Sequence, residues 1–264
     1  MTGPSSTEAR SIIRTRKPRA RNAPPGQSGP DRHLRTAKNS EIVYRDLRRA
    51  IIAMDLTPGT AIVEKELTQR YGISRTPVRE AVLRLAEERL VDVVPKSGTF
   101  VARIPISVVR EAIVARRALE EVTVRAATRR ASESQIMELR AMIQRQKEVA
   151  QIGDEEAFHR ADENFHAGIA AAGSFPGIWD MISQMRVQVE RYRRLTLPQA
   201  GRMLVVVGEH ESVLDAIAKR DADTAVERMD EHLTKLTLDI AVFRDLWPDY
   251  FIYDPAVDDQ LLLD

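Results

Sequence analysis

Asp162 and His166 lie four residues apart in the segment FHRADENFHAGIAAAG. A helix would place them on one face, about one turn apart. Histidine is scarce in this chain, with 5 in 264 residues. A carboxylate and an imidazole at this spacing fit half of a metal site, and they equally fit a polar pair on a solvated helix face.

Two later histidines fit the other half of such a site. His210 and His232 lie in segments predicted as helices, residues 203–219 and 222–245. In an antiparallel hairpin that turns near residue 220, they lie about 15 Å and about 17 Å from the turn. A third helix with Asp162 and His166 then completes a site of three imidazoles and one carboxylate. This ligand set suits zinc and also nickel, manganese, iron or cobalt, so the ligands alone do not choose the metal. We expect zinc, with nickel or manganese as alternatives.

The length of 264 residues allows two modest domains. Hydrophobic residues make up 43%, which is ordinary for a globular protein, and the low share of aromatic residues, 5%, with plentiful Ala, Leu, Val and Arg favours a mainly α-helical chain. The chain has no cysteine, which excludes disulfides and thiolate metal sites and fits a cytoplasmic protein. We find no run of about 18 apolar residues, which argues against a membrane span. The N-terminus has no apolar segment typical of a secretory signal.

Charge is distributed unevenly along the chain. Residues 1–40 have a net charge of +7, residues 41–103 a net charge of +2, and the remainder about −8. This asymmetry predicts that the front of the chain meets a polyanion. A solvated basic arm explains the first 40 residues equally well.

The order of predicted elements divides the chain into four parts. Pro, Gly, Ser and Arg without apolar periodicity predict a disordered basic arm over residues 1–38. Helix, helix, turn, helix and β-hairpin predict a winged helix-turn-helix over residues 39–104. Residues 105–246 contain six predicted helices and no strand signal, which predicts an antiparallel helical bundle. The acidic tail, residues 247–264, fits either a disordered segment or one that folds back onto a groove.

The helix-turn-helix has a reading tip suited to DNA. Gly72 allows the tight turn, and Ser74 is a suitable N-cap for a helix that carries Pro77 in its first turn. That helix start presents a set of polar residues to a major groove: Ser74, Arg75, Thr76 and Arg79. Lys96, Ser97 and Gly98 lie in the predicted hairpin turn, which is expected to lie as a wing along the DNA backbone or in the minor groove. Surface charges on an ordinary amphipathic helix are the alternative explanation.

The stretch PGTAIVEKELTQRYGISRTPVREAVLRLAEERLVDVVPKSGTFVARI resembles the winged helix of the GntR family of bacterial transcriptional regulators. SRTPVREA is close to a signature of that family. The resemblance implies contacts to operator DNA from Lys65, Ser74, Arg75, Thr76, Arg79 and Gly98. The chain departs from the pattern at three positions: Met54 stands where glycine is common, Arg89 where Gly-Leu is usual, and Lys65 where arginine is frequent. These departures concern sequence preference and not DNA binding itself.

The second half resembles the FCD effector domain of FadR-like GntR regulators, on the segments FHRADENFHAGIAAAG, GEHESVLDAIAKRDADTAVERMDEHL and VARRALEEVTVRAA. The resemblance covers residues 40 to about 245 and implies a metal held by Asp162, His166, His210 and His232. It also implies a small carboxylate effector, whose second end an arginine would bind. The candidate arginines are Arg116, which is the first choice, Arg191 and Arg194. His159 is expected in a second layer or on the surface.

These observations predict a homodimeric, ligand-responsive repressor that reads a palindromic operator and is not an enzyme. The linker, residues 103–107, is expected to transmit effector binding to the DNA-reading helices. One alternative is a metallohydrolase with a DNA-binding domain. Against it, Asp162 is used as a ligand and Glu163 points away from the Asp/His face, so no general base is evident. Another alternative is a purely structural metal site.

Overall fold

The N-terminal part of the chain folds as a winged helix-turn-helix. A computed structural model describes residues 30–238 and 240–253. The elements of this part are α1 (Pro30–Ile52), α2 (Glu64–Tyr71), α3 (Arg75–Glu87), β1 (Val91–Val94) and β2 (Gly98–Val101). The strands pair antiparallel, with Val91 opposite Val101 and Val94 opposite Gly98. The predicted order of elements is confirmed.

Helix α1 begins earlier than the composition predicts. The sequence predicts a disordered arm up to residue 38, whereas the structure starts α1 at Pro30. Proline is favoured in the first helical turn because its missing N–H would have no helical partner there. The Arg, Leu, Ala and Lys residues that follow have good helix propensity. A segment rich in basic residues can therefore still form a helix. The rest of the predicted arm, residues 1–29, lies outside the described residues.

The apolar core of this domain is formed by one face of each helix and by the hairpin. Val43, Leu47 and Ile51 of α1 pack against Val78 and Leu85 of α3. Two residues near this core, Met54 and Arg89, have left-handed backbones with φ of 62° and 56°. This conformation favours glycine, which explains why the related pattern has glycine at these places.

The second part of the chain is a helical bundle, as the sequence predicts. Its helices are α4 (Ile106–Arg130), α5 (Glu133–Gln151), α6 (Glu155–Ala172), α7 (Pro176–Met185), α8 (Val187–Thr196), α9 (Arg202–Ala218), α10 (Ala222–Leu238) and α11 (Ile240–Leu246). Helix α4 packs against α10 and α6, and α5 packs against α6 and α9. Phe158, Phe165, Ile169, Val213 and Leu233 are buried between them. This packing brings α6, α9 and α10 around one centre.

Two segments predicted as single helices are each divided. The segment predicted over residues 177–196 forms α7 and α8, which meet at Arg186 with φ −86° and ψ 3°. No proline or glycine lies at this break. The Arg186 guanidinium instead pairs with Glu163 at 2.6 Å and lies over the Trp179 ring. The segment predicted over residues 222–245 forms α10 and α11.

The end of the described chain folds back onto the linker between the two domains. We call residues 240–253 the C-terminal strap. Its strand β4 (Phe251–Ile252) pairs parallel with β3 (Ile104–Pro105). The sequence has no strand signal at residues 251–252, because a two-residue strand is too short for a periodic pattern. The folded-back alternative therefore holds for the tail up to residue 253, and residues 254–264 lie outside the described chain.

The strap is held by an aromatic cluster centred on Tyr192 of α8. The ring of Tyr192 meets those of Phe243 and Phe251 edge to face, at centroid distances of 6.0 Å and 6.4 Å. Ile104 and Val109 of the linker and α4 are buried in the same cluster. Helix α8 also contacts the winged helix directly: Arg191 donates to the Ala102 carbonyl at 2.6 Å.

Within residues 30–238 and 240–253, no helix combines the length and the apolar character needed to cross a bilayer.

The burial of the strap predicts unequal effects of truncating its two strand residues. Phe251 is 4% exposed and Ile252 is 49% exposed. We expect Phe251→Ala to lower the free energy of unfolding by about 3 kcal/mol, because it removes a buried ring. Ile252→Ala is the matched control and should change it by less than about 1 kcal/mol. Chemical denaturation measures both, and equal effects would contradict a packed strap.

Candidate metal centre and DNA interface

Three imidazoles meet inside the helical bundle. His166 comes from α6, His210 from α9 and His232 from α10, and their nearest ligand atoms all lie within 4.8 Å of one another. His210 Nε2 and His232 Nε2 are 3.2 Å apart. Asp162, one turn before His166, has Oδ1 3.8 Å from His210 Nε2. The structure thus brings together all four residues that the sequence proposes as ligands.

Each imidazole is oriented by an acceptor at its other nitrogen. Nδ1 donates to Glu120 Oε2 at 2.5 Å in His166, to Gln146 Oε1 at 2.7 Å in His210, and to Glu209 Oε2 at 2.7 Å in His232. Glu120 and Glu209 are carboxylates, which can only accept. The amide nitrogen of Gln146 donates to the Ala161 carbonyl, so the amide oxygen of Gln146 faces the His210 ring. Every Nδ1 therefore carries the proton, and every Nε2 directs a lone pair inward.

Buried atoms without partners show that this centre fits a metal ion. Among the described residues, His166 Nε2 and Asp162 Oδ1 are fully buried and have no hydrogen-bond partner. The lone pairs of His210 and His232 face each other across 3.2 Å. Such atoms are costly to bury unless something binds them. A divalent cation held by Asp162, His166, His210 and His232 satisfies all four at once, and their nitrogen and oxygen atoms suit zinc, nickel or manganese.

The buried carboxylates of the centre are kept ionised by nearby cations. Burial would raise the pKa of Asp162, but Arg193, whose Nη1 lies 2.7 Å from Oδ2, holds that pKa well below its ordinary value. Burial likewise opposes ionisation of Glu120, yet Arg116 and His166 lower its pKa to about 2. Both carboxylates are therefore anionic at neutral pH.

The imidazoles are also ready to bind a cation. Burial lowers the pKa of His166 below its ordinary value, and burial together with His232 lowers that of His210 further. Both rings are therefore neutral at neutral pH, and a metal ion would not have to displace a proton from them.

The three arginines proposed for the effector have different positions. Arg116 is buried beside the centre, with Nε bonded to Glu120 and Nη2 without a partner. Arg191 uses both terminal nitrogens on Gln188 and the Ala102 carbonyl at the domain junction. Arg194 contacts Glu156 and Glu190. Within residues 30–238 and 240–253, Arg116 is the one of the three with a buried terminal nitrogen that has no hydrogen-bond partner.

Sequence reasoning missed the residues that support the ligands, namely Glu120, Gln146, Arg193 and Glu209. Arg193 lies between the two arginines that were named, but on the helix face that meets Asp162. Gln146 lies on a helix with no named site residue, and its spacing gives no signal. Glu209 precedes His210 in sequence yet supports His232, a pairing that only the packing of α9 on α10 creates.

Two further residues lie in the layer around the ligands. His159 is buried, with Nδ1 2.9 Å from Glu190 Oε1, so it belongs to a second layer and not to the surface. Glu163 forms an ion pair with Arg186 at 2.6 Å, so its carboxylate is used by that arginine.

The residues proposed for DNA contact lie on α2, at the start of α3 and at the turn of the hairpin. All of them are exposed: Lys65, Ser74, Arg75, Thr76, Arg79, Lys96 and Gly98. Ser74 precedes α3 and makes no capping hydrogen bond with its side chain. The opposite face of α3, with Val78, Ala81 and Leu85, is buried in the core. This arrangement leaves the guanidinium groups of Arg75 and Arg79 at the surface beside the start of α3.

A winged helix-turn-helix joined to a helical bundle with a buried polar centre defines a class of DNA-binding transcriptional regulators. Residues 39–101 match the family described as bacterial regulatory proteins, gntR family, and residues 111–235 match the FCD domain. The chain belongs to the GntR family, with an FCD domain as its second half, and is a transcriptional regulator.

Individual relatives support this membership. The chain is 30% identical to the HTH-type transcriptional repressor RspR of Escherichia coli (strain K12), over 79% of this chain and 92% of that protein. It is 34% identical to an HTH-type transcriptional regulator in an unstable DNA locus of Streptomyces ambofaciens, over 83% of this chain and 92% of that protein. The solved structure of E. coli McbR/YncC superposes with a TM-score of 0.62 at 23% identity, over 79% of this chain and 98% of that one. This last likeness concerns the fold alone.

The role of Gln146 can be tested against its neighbour Gln144 on the same helix. We expect Gln146→Leu to weaken zinc binding by about 10- to 100-fold, because it removes the acceptor that orients His210. Gln144 is exposed and bonds only to Glu148, so Gln144→Leu should leave zinc affinity unchanged. Competition with a zinc chelator measures both, and equal affinities for the two variants would contradict an orienting role.

Proposed function

We propose that this regulator is a repressor that senses a small organic acid at a divalent metal ion held by Asp162, His166, His210 and His232. The observation that carries the proposal is the set of inward-facing Nε2 and Oδ1 atoms, two of which have no other partner. When bound, the cation would supply an electrophilic docking point for a carboxylate.

The charges around the centre favour an anionic effector. Each carboxylate has its own cation: Asp162 pairs with Arg193, Glu120 with Arg116, and Glu209 with Lys235. Apart from the imidazoles, these formal charges cancel. A divalent cation would therefore add about two positive charges to a buried site, and an acid with two carboxylates would compensate them. The unpartnered Nη2 of Arg116 could bind the second carboxylate of such an acid.

Helix α8 offers a route from this centre to the DNA-reading domain. Arg193 on α8 binds Asp162 of the centre. On the same helix Arg191 binds the Ala102 carbonyl, and Gln188 donates to the Arg89 carbonyl at 3.3 Å. A shift of Asp162 would thus move the helix that holds the winged helix and the linker, residues 103–107. Such a shift gives the protein two arrangements of its DNA-reading domain. The effector changes DNA affinity only as far as it binds one of these arrangements more tightly than the other.

Repression and dimer formation are further parts of the proposal. The relative RspR is named as a repressor, and release of the operator by an effector is the behaviour we propose for this chain. Two winged helices in a homodimer would read the two half-sites of a palindromic operator. Metallohydrolase activity and a purely structural metal are the rival functions.

The effector test uses zinc-loaded protein and an operator fragment obtained by selection from random DNA. A panel of dicarboxylates of increasing length should contain a member that weakens operator binding by about 5- to 150-fold, the usual range of allosteric coupling. Monocarboxylates and the matching diamides are the controls for charge. A response that persists in the His210→Ala/His232→Ala variant, or no response to any acid, would contradict the proposal. Turnover of an added substrate would favour the hydrolase instead.

The DNA test compares Arg75 and Arg79, at the start of α3, with an arginine on the helical bundle. We expect Arg75→Ala and Arg79→Ala each to weaken operator binding, by about 1–3 kcal/mol where the arginine reads a guanine. Arg129→Ala, at an exposed position on α4, should have no effect. Fluorescence anisotropy at several salt concentrations measures the affinities. An affinity that does not fall with rising salt would count against the basic tip.

A further inference from the structure

We infer that metal ions reach and leave the centre through the groove between α9 and α10, and that the His232 ring closes this route. The inference rests on the metal centre proposed above. Asp162, His166 and His210 are each 1% exposed or less, whereas His232 is 4% exposed. A cation therefore has to pass one of the elements that cover the ligands.

The groove between α9 and α10 reaches His232 from outside. It contains a cavity of about 320 Å³ lined by Gly208, Glu209, Ser212, Arg228, His232 and Lys235, among others. A second cavity of about 320 Å³ lies on the other side of α9, against α5, and none of the four candidate ligands lines it. Of these two cavities, the one in the α9/α10 groove is the one that touches a candidate ligand.

The His232 ring separates this groove from the centre. Its Nε2 faces His210 Nε2 inside, and its Nδ1 faces Glu209. Both oxygens of Glu209 are used, one by His232 and the other by Lys235 Nζ at 3.0 Å. We call the pair of Glu209 and Lys235 the latch. Rotation of the ring would open the centre to the groove, and the latch opposes this rotation.

The latch is built to open readily. The Lys235 side chain is 41% exposed, so water screens its attraction to Glu209. Ion pairs that are this exposed contribute little to stability. The wall of the groove is also open at Gly208, where an added Cβ would meet no atom within 4 Å. This position therefore has room for the first atom of a side chain beside the groove.

A plug at Gly208 tests the route. Gly208→Phe should slow zinc uptake and zinc release by the same factor, on the order of tenfold or more, and leave the Kd unchanged. A blocked path raises the barrier and does not alter the end states. Stopped-flow mixing with Zn²⁺ and with a fluorescent zinc chelator measures the two rates. Ser212→Phe, one helical turn further along the groove, is a second plug in case the first variant does not fold.

The matched control places the same side chain in the other groove. Gln144→Phe lies on α5 and faces the cavity between α5 and α9, so both rates should stay at the wild-type values. The inference would be overturned if Gln144→Phe took up and released zinc slowly while both plug variants kept the wild-type rates. Wild-type rates in all three variants would also overturn it. If the wild-type protein bound no zinc, the metal centre itself would fail along with the route.

Weakening the latch should have the opposite effect. Lys235→Met removes the cation that holds the outer oxygen of Glu209, so zinc release should become several-fold faster. Lys235→Arg keeps the positive charge and should restore the slow rate. Arg228→Met is the control, because Arg228 lines the same groove but pairs with Glu231. Equal release rates in Lys235→Met and the wild type would contradict a latch.

Discussion

A carboxylate buried among apolar helices needs a cation beside it, and Asp162 has Arg193 at 2.7 Å. Burial of an unpaired charge at this position would be prohibitive, so the two helices that carry these residues are held together. The pair leaves Oδ1 of Asp162 free towards the histidines. It also attaches α8 to the centre, and α8 in turn binds the winged helix and supports the C-terminal strap. One ion pair thus connects the polar centre to the DNA-reading half of the chain.

The orientation of the three imidazoles is set by residues that surround them. Glu120, Gln146 and Glu209 fix the three Nδ1 protons, and the lone pairs that remain converge on one point. Glu120 pairs with Arg116 and Glu209 pairs with Lys235, so both carboxylates stay ionised although Glu120 is buried and Glu209 is largely buried. Among the described residues, His166 Nε2 and Asp162 Oδ1 are then left without a hydrogen-bond partner, and a bound cation would satisfy both.

Sequence predicted much of this centre because helices have fixed geometry. The spacing of Asp162 and His166, and the similar distances of His210 and His232 from their turn, need only the helical rise to converge. The supporting residues depend on which helices pack together, and Glu209 shows this, since it supports His232 on the next helix. Spacing along one helix cannot reveal such a pairing. The same reason explains why Arg193 was overlooked in favour of its neighbours.

The fold differs from the expectation where tertiary contacts override local pattern. The break at Arg186 has no glycine or proline, and the Arg186 side chain there contacts Glu163 and Trp179. Strand β4 has two residues and exists because Ile104 and Pro105 offer an unpaired edge. Met54 and Arg89 adopt left-handed backbones without glycine, so the turns they occupy were recognisable only through the family pattern. The winged helix itself was predictable because its turn, cap and hairpin signals agree with one another.

Anomalous diffraction from crystals of the zinc-loaded regulator, recorded on both sides of the zinc absorption edge, tests the central claim most directly. Our account predicts one strong peak per chain, bound by Nε2 of His166, His210 and His232 and by Oδ1 of Asp162. A peak elsewhere, or zinc bound through Nδ1 of these histidines, would contradict it.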